Sequence, residues 1–241
     1  MKIAVFAYNF PHKKTQEVLF KLKIQKIPAN CVIAAPRRKL KKSNKPPLLR
    51  VKPRYTNLDH PKKICKVLNF PYYISAHNSK KTINILKKRR ISLGVIAGAR
   101  IISESVIRAT TRGILNLHPG LIPQVRGMDA LKWAILENKP LGVTAHLIDK
   151  RVDAGRVVLK KKIAVYEDDT FVDLALRLDE ESINILPSAI DLAANKNPKT
   201  FPKVGKGSKL HYKMEPELEK KLPEKLKYFL KKWTKKNSRH A

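Results

Sequence analysis

Short apolar runs alternate with amphipathic segments through the first 140 residues of the chain. The apolar runs are typical of strands buried on both faces, and the segments between them repeat apolar residues at helical spacing. The strands are predicted at Ile3–Tyr8, Cys31–Ala35, Tyr72–Ile74, Leu93–Ala97 and Gly113–Leu117. The helices are predicted at Gln16–Ile27, Pro61–Leu68, Ser79–Arg90, Ser103–Thr110 and Asp129–Asn138. This alternation favours a doubly wound, mostly parallel α/β sheet with helices on both faces.

The pattern changes after residue 140. Two strand-like runs, Gly142–Ile148 and Arg156–Val165, follow each other with no helix between them. Consecutive strands joined by a short connection predict an antiparallel extension of the sheet. A long helix is predicted from Thr170 to Ala194, where Thr170 is a suitable N-cap residue.

The composition becomes polar, basic and proline-rich after Asn195. We therefore expect one domain over residues 1–195 and a basic C-terminal tail over residues 196–241. Within the tail, Pro216–Trp233 can form an amphipathic helix that Pro223 would kink or restart. This helix either packs back on the domain, which we favour, or contacts nucleic acid or an anionic membrane.

Length and composition bound the class of protein. The 241 residues are 43% hydrophobic, which is enough for a sizeable core, and no run of about 18 apolar residues predicts a membrane span. The two cysteines, Cys31 and Cys65, are too few for a disulfide framework and lack metal-ligand spacing. We expect a cytoplasmic protein without a bound metal.

The chain is strongly basic. Lys and Arg total 52 against 19 Asp and Glu, for a formal net charge of +33. Such a chain attracts polyanions at low salt. The basic runs are spread along the chain, however, and the aromatic residues, at 7%, are not interleaved with them as stacking platforms. A nucleic-acid partner therefore stays open but is not favoured, and a basic surface steers small anionic substrates equally well.

The segment from Gly113 to Val158 carries the candidate chemistry. Asn116 and His118 lie two apart at the end of a predicted strand, so their side chains share one face. In open α/β sheets, ligands bind at the carboxyl ends of the strands. An amide there can donate to a developing oxyanion, and an imidazole can move a proton. This pair suits acyl transfer.

A third polar residue, Asp153, lies in a turn before Gly155. A carboxylate beside the imidazole would raise its pKa and complete a relay. Taken singly, Asn116 and Asp153 could be turn residues and His118 a loop histidine, and His146 on the preceding strand could belong to the core or to the site. The joint pattern nevertheless indicates an enzyme.

These residues belong to a series of motifs: Asn116-Leu117-His118, Ile122-Pro123, Arg126-Gly127, Gly142-Val143-Thr144-Ala145-His146 and Asp153-Ala154-Gly155. Through these motifs the chain resembles the formyltransferases that use 10-formyltetrahydrofolate. That family includes glycinamide ribonucleotide, methionyl-tRNA and nucleotide-sugar formyltransferases. The resemblance covers about residues 1–200.

The resemblance implies a Rossmann-like catalytic domain and a set of functional residues. Asn116, His118 and Asp153 would be catalytic, with no metal and no covalent enzyme intermediate. The formyl donor would be 10-formyltetrahydrofolate, acting as a co-substrate. The positions implied for contacts to the folate are Ile96, Gly98, Arg100, Ile101 and Asp149.

Departures from the family patterns narrow the acceptor. The loop after the first strand lacks the glycines of a phosphate cradle, and the residues after Asn195 are too few and too polar for the tRNA enzymes' C-terminal barrel. The His118-Pro119-Gly120 form is similar to that of the sugar enzymes. We therefore expect a small phosphorylated amine, an amino sugar on a nucleotide. The candidate acceptor contacts are His12, Lys13, Lys14, Arg126 and Gly127.

Other functions stay open at this point. Within the family, the activity could resemble that of the methionyl-tRNA or glycinamide ribonucleotide enzymes. Outside it, the chain could be a non-catalytic nucleic-acid-binding protein on the same fold. A dinucleotide-dependent oxidoreductase is disfavoured, because no GxGxxG motif follows the first strand.

Overall fold

The computed structural model describes residues 1–38, 47–49, 51, 55, 57–205 and 208–237. Seven of the described strands form one sheet, and two short strands form a second. In chain order the strands are β1 (Ile3–Tyr8), β2 (Ala29–Ala35), β3 (Tyr72–Ile74), β4 (Leu93–Ile96), β5 (Ile114–His118), β6 (Arg126–Gly127), β7 (Gly142–Leu147), β8 (Arg156–Lys162) and β9 (Leu210–His211).

The main sheet has the order β3-β2-β1-β4-β5-β7-β8. The first five of these strands run parallel, and β7 and β8 add antiparallel to the β5 edge. The chain order reverses between β1 and β4, which is the switch point where such sheets bind ligands. The predicted doubly wound sheet with an antiparallel extension is therefore confirmed.

Helices lie on both faces of this sheet. The described helices are α1 (Lys13–Ile24), α2 (Pro61–Leu68), α3 (Lys80–Lys88), α4 (Glu104–Ile107), α5 (Ala130–Leu136), α6 (Phe171–Asn184), α7 (Leu186–Asn195), α8 (Pro216–Glu219) and α9 (Leu222–Asn237). None of them is long and apolar enough to cross a membrane.

The side chains of β1 divide the core into two layers. Ile3, Val5 and Ala7 point into one apolar cluster, with residues of α1, α6 and α9. Ala4 and Phe6 point into the other, with residues of α3 and α4. This alternation is the two-residue period of a strand whose two faces are both covered.

Two predicted helices differ from the structure for reasons of capping and proline. Helix α1 begins at Lys13, not Gln16, because His12 acts as its N-cap and accepts a hydrogen bond from the Thr15 N–H at 3.3 Å. The long helix predicted over Thr170–Ala194 is wrong as a single element. It ends at Asn184 and restarts at Leu186, because Pro187 has no N–H to continue the helical ladder.

The residues after Asn195 return to the domain. Strand β9 pairs with β6, and α9 packs on α5. Pro223 lies in the first turn of α9, so the proline restarts the helix and does not kink it. Leu222 and Phe229 are buried in the same cluster as β1.

Candidate active site

Strand β5 and its antiparallel neighbour β7 carry the polar side chains of the site. Asn116 pairs with His146 across the two strands, and His118 pairs with Thr144. Asn116 is half-buried, whereas His118 and His146 are buried. The expected co-facial placement of Asn116 and His118 thus brings a second imidazole next to the amide.

The loop between β7 and β8 brings Asp153 back onto this pair. One carboxylate oxygen, Oδ2, lies 3.4 Å from His118 Nδ1. The other, Oδ1, accepts a hydrogen bond from Asn116 Nδ2 at 3.4 Å. Asp153 adopts a left-handed backbone with φ of 44°. The three residues that the sequence singled out therefore meet, although 35 residues separate His118 from Asp153 in the chain.

His146 completes the cluster. Its Nε2 lies 3.2 Å from Asn116 Nδ2 and 3.4 Å from Asp153 Oδ1. Its Nδ1 is buried and has no hydrogen-bond partner within the described part of the chain. From the sequence, His146 could belong either to the core or to the site. The register of β5 and β7, which the sequence does not show, places it opposite Asn116.

Burial controls the charge of the two central groups. It lowers the pKa of His118 to about 4, against the opposing effect of the Asp153 carboxylate, and the neighbouring His146 lowers it further. The carboxylate does act in the expected direction and raises this pKa, but desolvation of the ring is the larger effect and the net shift is downward. The ring is neutral near pH 7.

The Asp153 carboxyl behaves in the opposite way. Burial alone would raise its pKa, but hydrogen bonds from His146 and from the Gly127 N–H hold it below the usual range. The Gly127 N–H donates to Oδ2 at 3.1 Å. The site thus combines a charged carboxylate with a neutral imidazole at neutral pH.

The His118 ring lies between two acceptors. Nε2 lies 3.2 Å from the Val125 carbonyl oxygen, and Nδ1 faces Asp153 Oδ2. A neutral imidazole has one N–H and can satisfy only one of them. The ring can therefore take up one proton and gain a hydrogen bond by doing so.

Two glycines allow the close packing of this site. A Cβ atom on Gly120 would lie 2.7 Å from His118 Nε2, and one on Gly155 would lie 1.8 Å from the Leu147 carbonyl oxygen. Neither contact is sterically allowed. The small residues therefore let the two loops approach β5 and β7.

The candidate acceptor residues at the start of α1 border a cavity of about 480 Å³. Lys14 Nζ donates to the Leu117 carbonyl oxygen at 2.9 Å, between Asn116 and His118 in the chain. Lys13 Nζ lies 2.8 Å from Glu17 and 3.6 Å from Asp179. The structure therefore brings Lys14 onto β5 between Asn116 and His118, whereas Lys13 pairs with Glu17 and Asp179.

Arg126 and Gly127 occupy different surroundings from the lysines. Gly127 reaches the cluster through its backbone N–H, as described above. Arg126 Nη1 donates to Ser208 Oγ at 3.1 Å, and its Nε is buried without a partner among the residues described. Neither residue is among those that line the 480 Å³ cavity.

A family model described as formyl transferase matches residues 1–190. The chain belongs to this family. Among curated proteins it is similar to the methionyl-tRNA formyltransferase of Chlorobium chlorochromatii, with 27% identity over 58% of this chain and 46% of that protein. It is also similar to the corresponding protein of Caldanaerobacter subterraneus, with 34% identity over 39% of this chain and 31% of that protein. The chain thus matches less than half the length of these relatives.

Solved structures of this family share the fold. The phosphoribosylglycinamide formyltransferase of Anaplasma phagocytophilum superposes with a TM-score of 0.60 at 18% identity, over 89% of this chain and 98% of that one. A sugar N-formyltransferase from Shewanella superposes with a TM-score of 0.57 at 17% identity, over 88% and 76% of the two chains. Formyltransferases that differ in acceptor are thus similar in fold to this chain.

The two segments assigned by resemblance to the formyl donor follow β4 and β7, the strands on either side of β5. Ile96, at the end of β4, and Ile148, after β7, pack on the same apolar cluster. Ile101 is 73% exposed and Val152 is 41% exposed. Exposed apolar side chains of this kind suit the flat face of a heterocycle.

Asp149 and Arg100, the polar residues assigned to the donor, make hydrogen bonds within the chain. Asp149 accepts hydrogen bonds from the Arg151 backbone N–H at 2.8 Å and from its guanidinium at 3.2 Å. Arg100 is exposed and donates to the Arg38 carbonyl oxygen at 3.4 Å. Gly98 packs beneath Tyr8, where a Cβ atom would lie 2.8 Å from the ring. In the described residues, no three His, Cys, Asp or Glu side chains are grouped to hold a metal ion.

Proposed function

We propose that this chain transfers a formyl group from 10-formyltetrahydrofolate to a primary amine. One observation carries the proposal: the carboxylate of Asp153 lies 3.4 Å from the amide of Asn116 through one oxygen and 3.4 Å from the imidazole of His118 through the other. The family supports formyl transfer as the reaction class. The folate is the family's donor, and the exposed apolar side chains of Ile101 and Val152 support it here.

The reaction needs positioning, an oxyanion donor and a proton carrier. The amine nitrogen attacks the formyl carbon and forms the new C–N bond, while the bond from that carbon to the folate nitrogen breaks. One proton passes from the amine to the folate nitrogen. The amide N–H groups of Asn116 can donate to the oxyanion of the tetrahedral intermediate.

His118 and Asp153 fit the role of the proton carrier. The neutral ring at pH 7 can accept the proton that the attacking amine loses, because protonation completes its second hydrogen bond. The charged Asp153 then stabilises the imidazolium. The low pKa of the ring makes it a ready donor to the leaving nitrogen.

We propose an amino sugar on a nucleotide as the acceptor. Lys13 and Lys14 border the cavity next to His118, and their charge suits a phosphate. A phosphate that enters would compete with Glu17 and Asp179 for Lys13. The His118-Pro119-Gly120 motif, similar to that of the sugar enzymes, supports the same choice.

A second candidate acceptor is an aminoacyl group on tRNA. The first cavity shares Pro119 and Asp179 with a smaller recess of about 170 Å³, which is lined mainly by apolar groups including Val51, Leu131 and Leu178. Such a recess suits an aliphatic side chain, which an aminoacyl acceptor offers. The curated relatives named as methionyl-tRNA formyltransferases and the net charge of +33 support this candidate.

The test supplies 10-formyltetrahydrofolate with a panel of amines and follows the release of tetrahydrofolate. The panel contains nucleotide-linked amino sugars, methionyl-tRNA and glycinamide ribonucleotide. Turnover with one class identifies the acceptor. No turnover with any of them, together with RNA binding that weakens steeply with salt, would favour the nucleic-acid-binding alternative and overturn the proposal.

Single substitutions then test the roles within the site. We expect Asn116→Ala, His118→Ala and Asp153→Ala each to lower kcat at least about 100-fold, while the chain stays folded. Asp168→Ala removes an exposed carboxylate away from the cluster and serves as the matched control. Near-normal kcat in the His118 variant would rule out the proposed proton carrier.

A further inference from the structure

The described residues 199–205 and 208–214, here together named the strap, lie beyond residues 1–190, the part of the chain that matches the family. The strap contacts the Asp153 turn on its exit side. The Val204 N–H donates to the Gly155 carbonyl oxygen at 3.1 Å, and the Val204 carbonyl oxygen accepts from the Arg151 guanidinium at 3.2 Å. The strap thus holds the backbone that follows the carboxylate.

The strap also reaches the opposite side of Asp153. Strand β9 pairs with β6, and the Met128 N–H donates to the His211 carbonyl oxygen at 2.9 Å. Gly127 has a φ of 98°, and a Cβ atom there would lie 2.1 Å from the same oxygen. The loop that donates the Gly127 N–H to Asp153 therefore rests directly on the strap.

The His211 side chain stabilises the pairing of β6 with β9. It is 2% exposed, and its ring centre lies 4.8 Å from that of Trp133. Nδ1 lies 3.3 Å from the Arg126 carbonyl oxygen, and Nε2 lies 3.0 Å from Glu137 Oε1. Both neighbours are acceptors, so the ring makes both bonds when each nitrogen carries a hydrogen.

The contacts of His211 stabilise β6 and β9, which are too short to be stable alone. Each strand has two residues, and a two-stranded ribbon of this size is not stable by itself. His211 links β6 to Glu137, the C-cap residue of α5. The small sheet is thereby anchored to a helix of the domain.

We propose that His211 is a positioning residue for formyl transfer, which holds the Arg126–Gly127 strand so that the Gly127 N–H stays on the Asp153 carboxylate. The proposal rests on the proposed function for its kinetic consequence. Its structural consequence, the protection of the Gly127 N–H from hydrogen exchange, is independent of that function. His211 acts through the Gly127 N–H, and we assign it no contact with the substrate or the reacting atoms.

The experiment compares His211→Ala and His211→Gln in the full chain. Lys209→Ala is the matched control, because Lys209 also binds Glu137, at 2.8 Å, but is exposed and is not bonded to Arg126. We expect His211→Ala to lower kcat about 10- to 100-fold through misplacement of Asp153. The KM values for donor and acceptor should change less than about three-fold. His211→Gln, which keeps one donor, should recover part of kcat, and Lys209→Ala should leave it unchanged.

A second readout is the hydrogen exchange of the Gly127 amide, followed by NMR on labelled protein. We expect it to accelerate in His211→Ala and to stay slow in Lys209→Ala. Wild-type kcat and exchange in His211→Ala would overturn the proposal. So would a loss of kcat fully accounted for by a loss of folded protein, with His211→Gln used if the alanine variant does not fold. Absence of formyl transfer in the wild type defeats the proposed function alone, and the exchange rates still decide the role of His211.

Discussion

At the scale of single residues, desolvation decides the chemistry of this site. His118 has an acidic neighbour that favours its charged form, yet its pKa falls to about 4 because the ring is buried. The folded-state pKa therefore lies below the value of about 6.5 expected in the unfolded chain. As the pH falls, the unfolded state binds the proton first.

This difference predicts a pH-dependent loss of stability. The contribution of neutral His118 is complete above pH 6.5 and is lost as the pH falls from 6.5 towards 4. Between pH 7 and pH 5 it amounts to about 2 kcal/mol. We expect urea unfolding of the wild type to show this loss and that of His118→Gln to lack it.

The same experiment separates His118 from Asp153. The pKa of Asp153 is lowered, so its contribution is present above its unfolded value and is lost only as the pH falls through the folded value, below pH 4. It does not overlap the window from pH 7 to pH 5. An equal pH dependence in the wild type and in His118→Gln would contradict burial of a neutral ring.

At the scale of elements, the turn between β7 and β8 determines where Asp153 lies. Gly155 abuts the Leu147 backbone so closely that any side chain must displace the turn. The sequence pattern predicts the Asp-Ala-Gly turn and the two flanking strands. It did not identify β6, because a two-residue strand has no hydrophobic periodicity of its own.

A glycine substitution tests this turn. We expect Gly155→Ala to cost about 1–3 kcal/mol or more of unfolding free energy and to lower kcat, because the shift moves Asp153 two residues away. Gly205→Ala is the control, since among the described residues other than its chain neighbours no heavy atom lies within 4 Å of its added Cβ. Denaturant unfolding and the formyl-transfer assay measure both. Equal stability of the two variants would show that the turn adapts at no cost.

At the scale of the whole molecule, the C-terminal residues share the core of the domain. Phe201, Met214, Leu222 and Phe229 belong to the same apolar cluster as β1. The residues after Asn195 are more polar in composition than the rest of the chain. They nevertheless pack on the domain, since α9 lies on α5 and the strap contacts the loops of the candidate site. This packing depends on contacts between distant parts of the chain.

Adjacent residues of α9 test this shared core. Phe229 is 1% exposed, whereas its neighbour Tyr228 is 63% exposed. We expect Phe229→Ala to lower the unfolding free energy by about 3–5 kcal/mol, and Tyr228→Ala to change it by about 0.5 kcal/mol or less. Urea unfolding followed by circular dichroism measures both. Similar small losses would mean that α9 adds little to the stability of the domain.

The sequence by itself determined the local elements and the placement of Asn116 and His118 in the candidate site. Hydrophobic periodicity is a property of neighbouring residues, so it located the strands and most helices, with errors where a His cap or Pro187 set the boundary. The two-residue period of a strand also placed Asn116 and His118 on one face.

Only the tertiary structure decided how the cluster is completed. His146 joins through the register of β5 and β7, and the Gly127 N–H reaches Asp153 through a loop held by His211. Burial, which follows from the packing of the whole chain, sets the charge of His118 and outweighs the opposite effect of its acidic neighbour. Register, loop closure and desolvation all arise between residues far apart in sequence, and no local pattern encodes them.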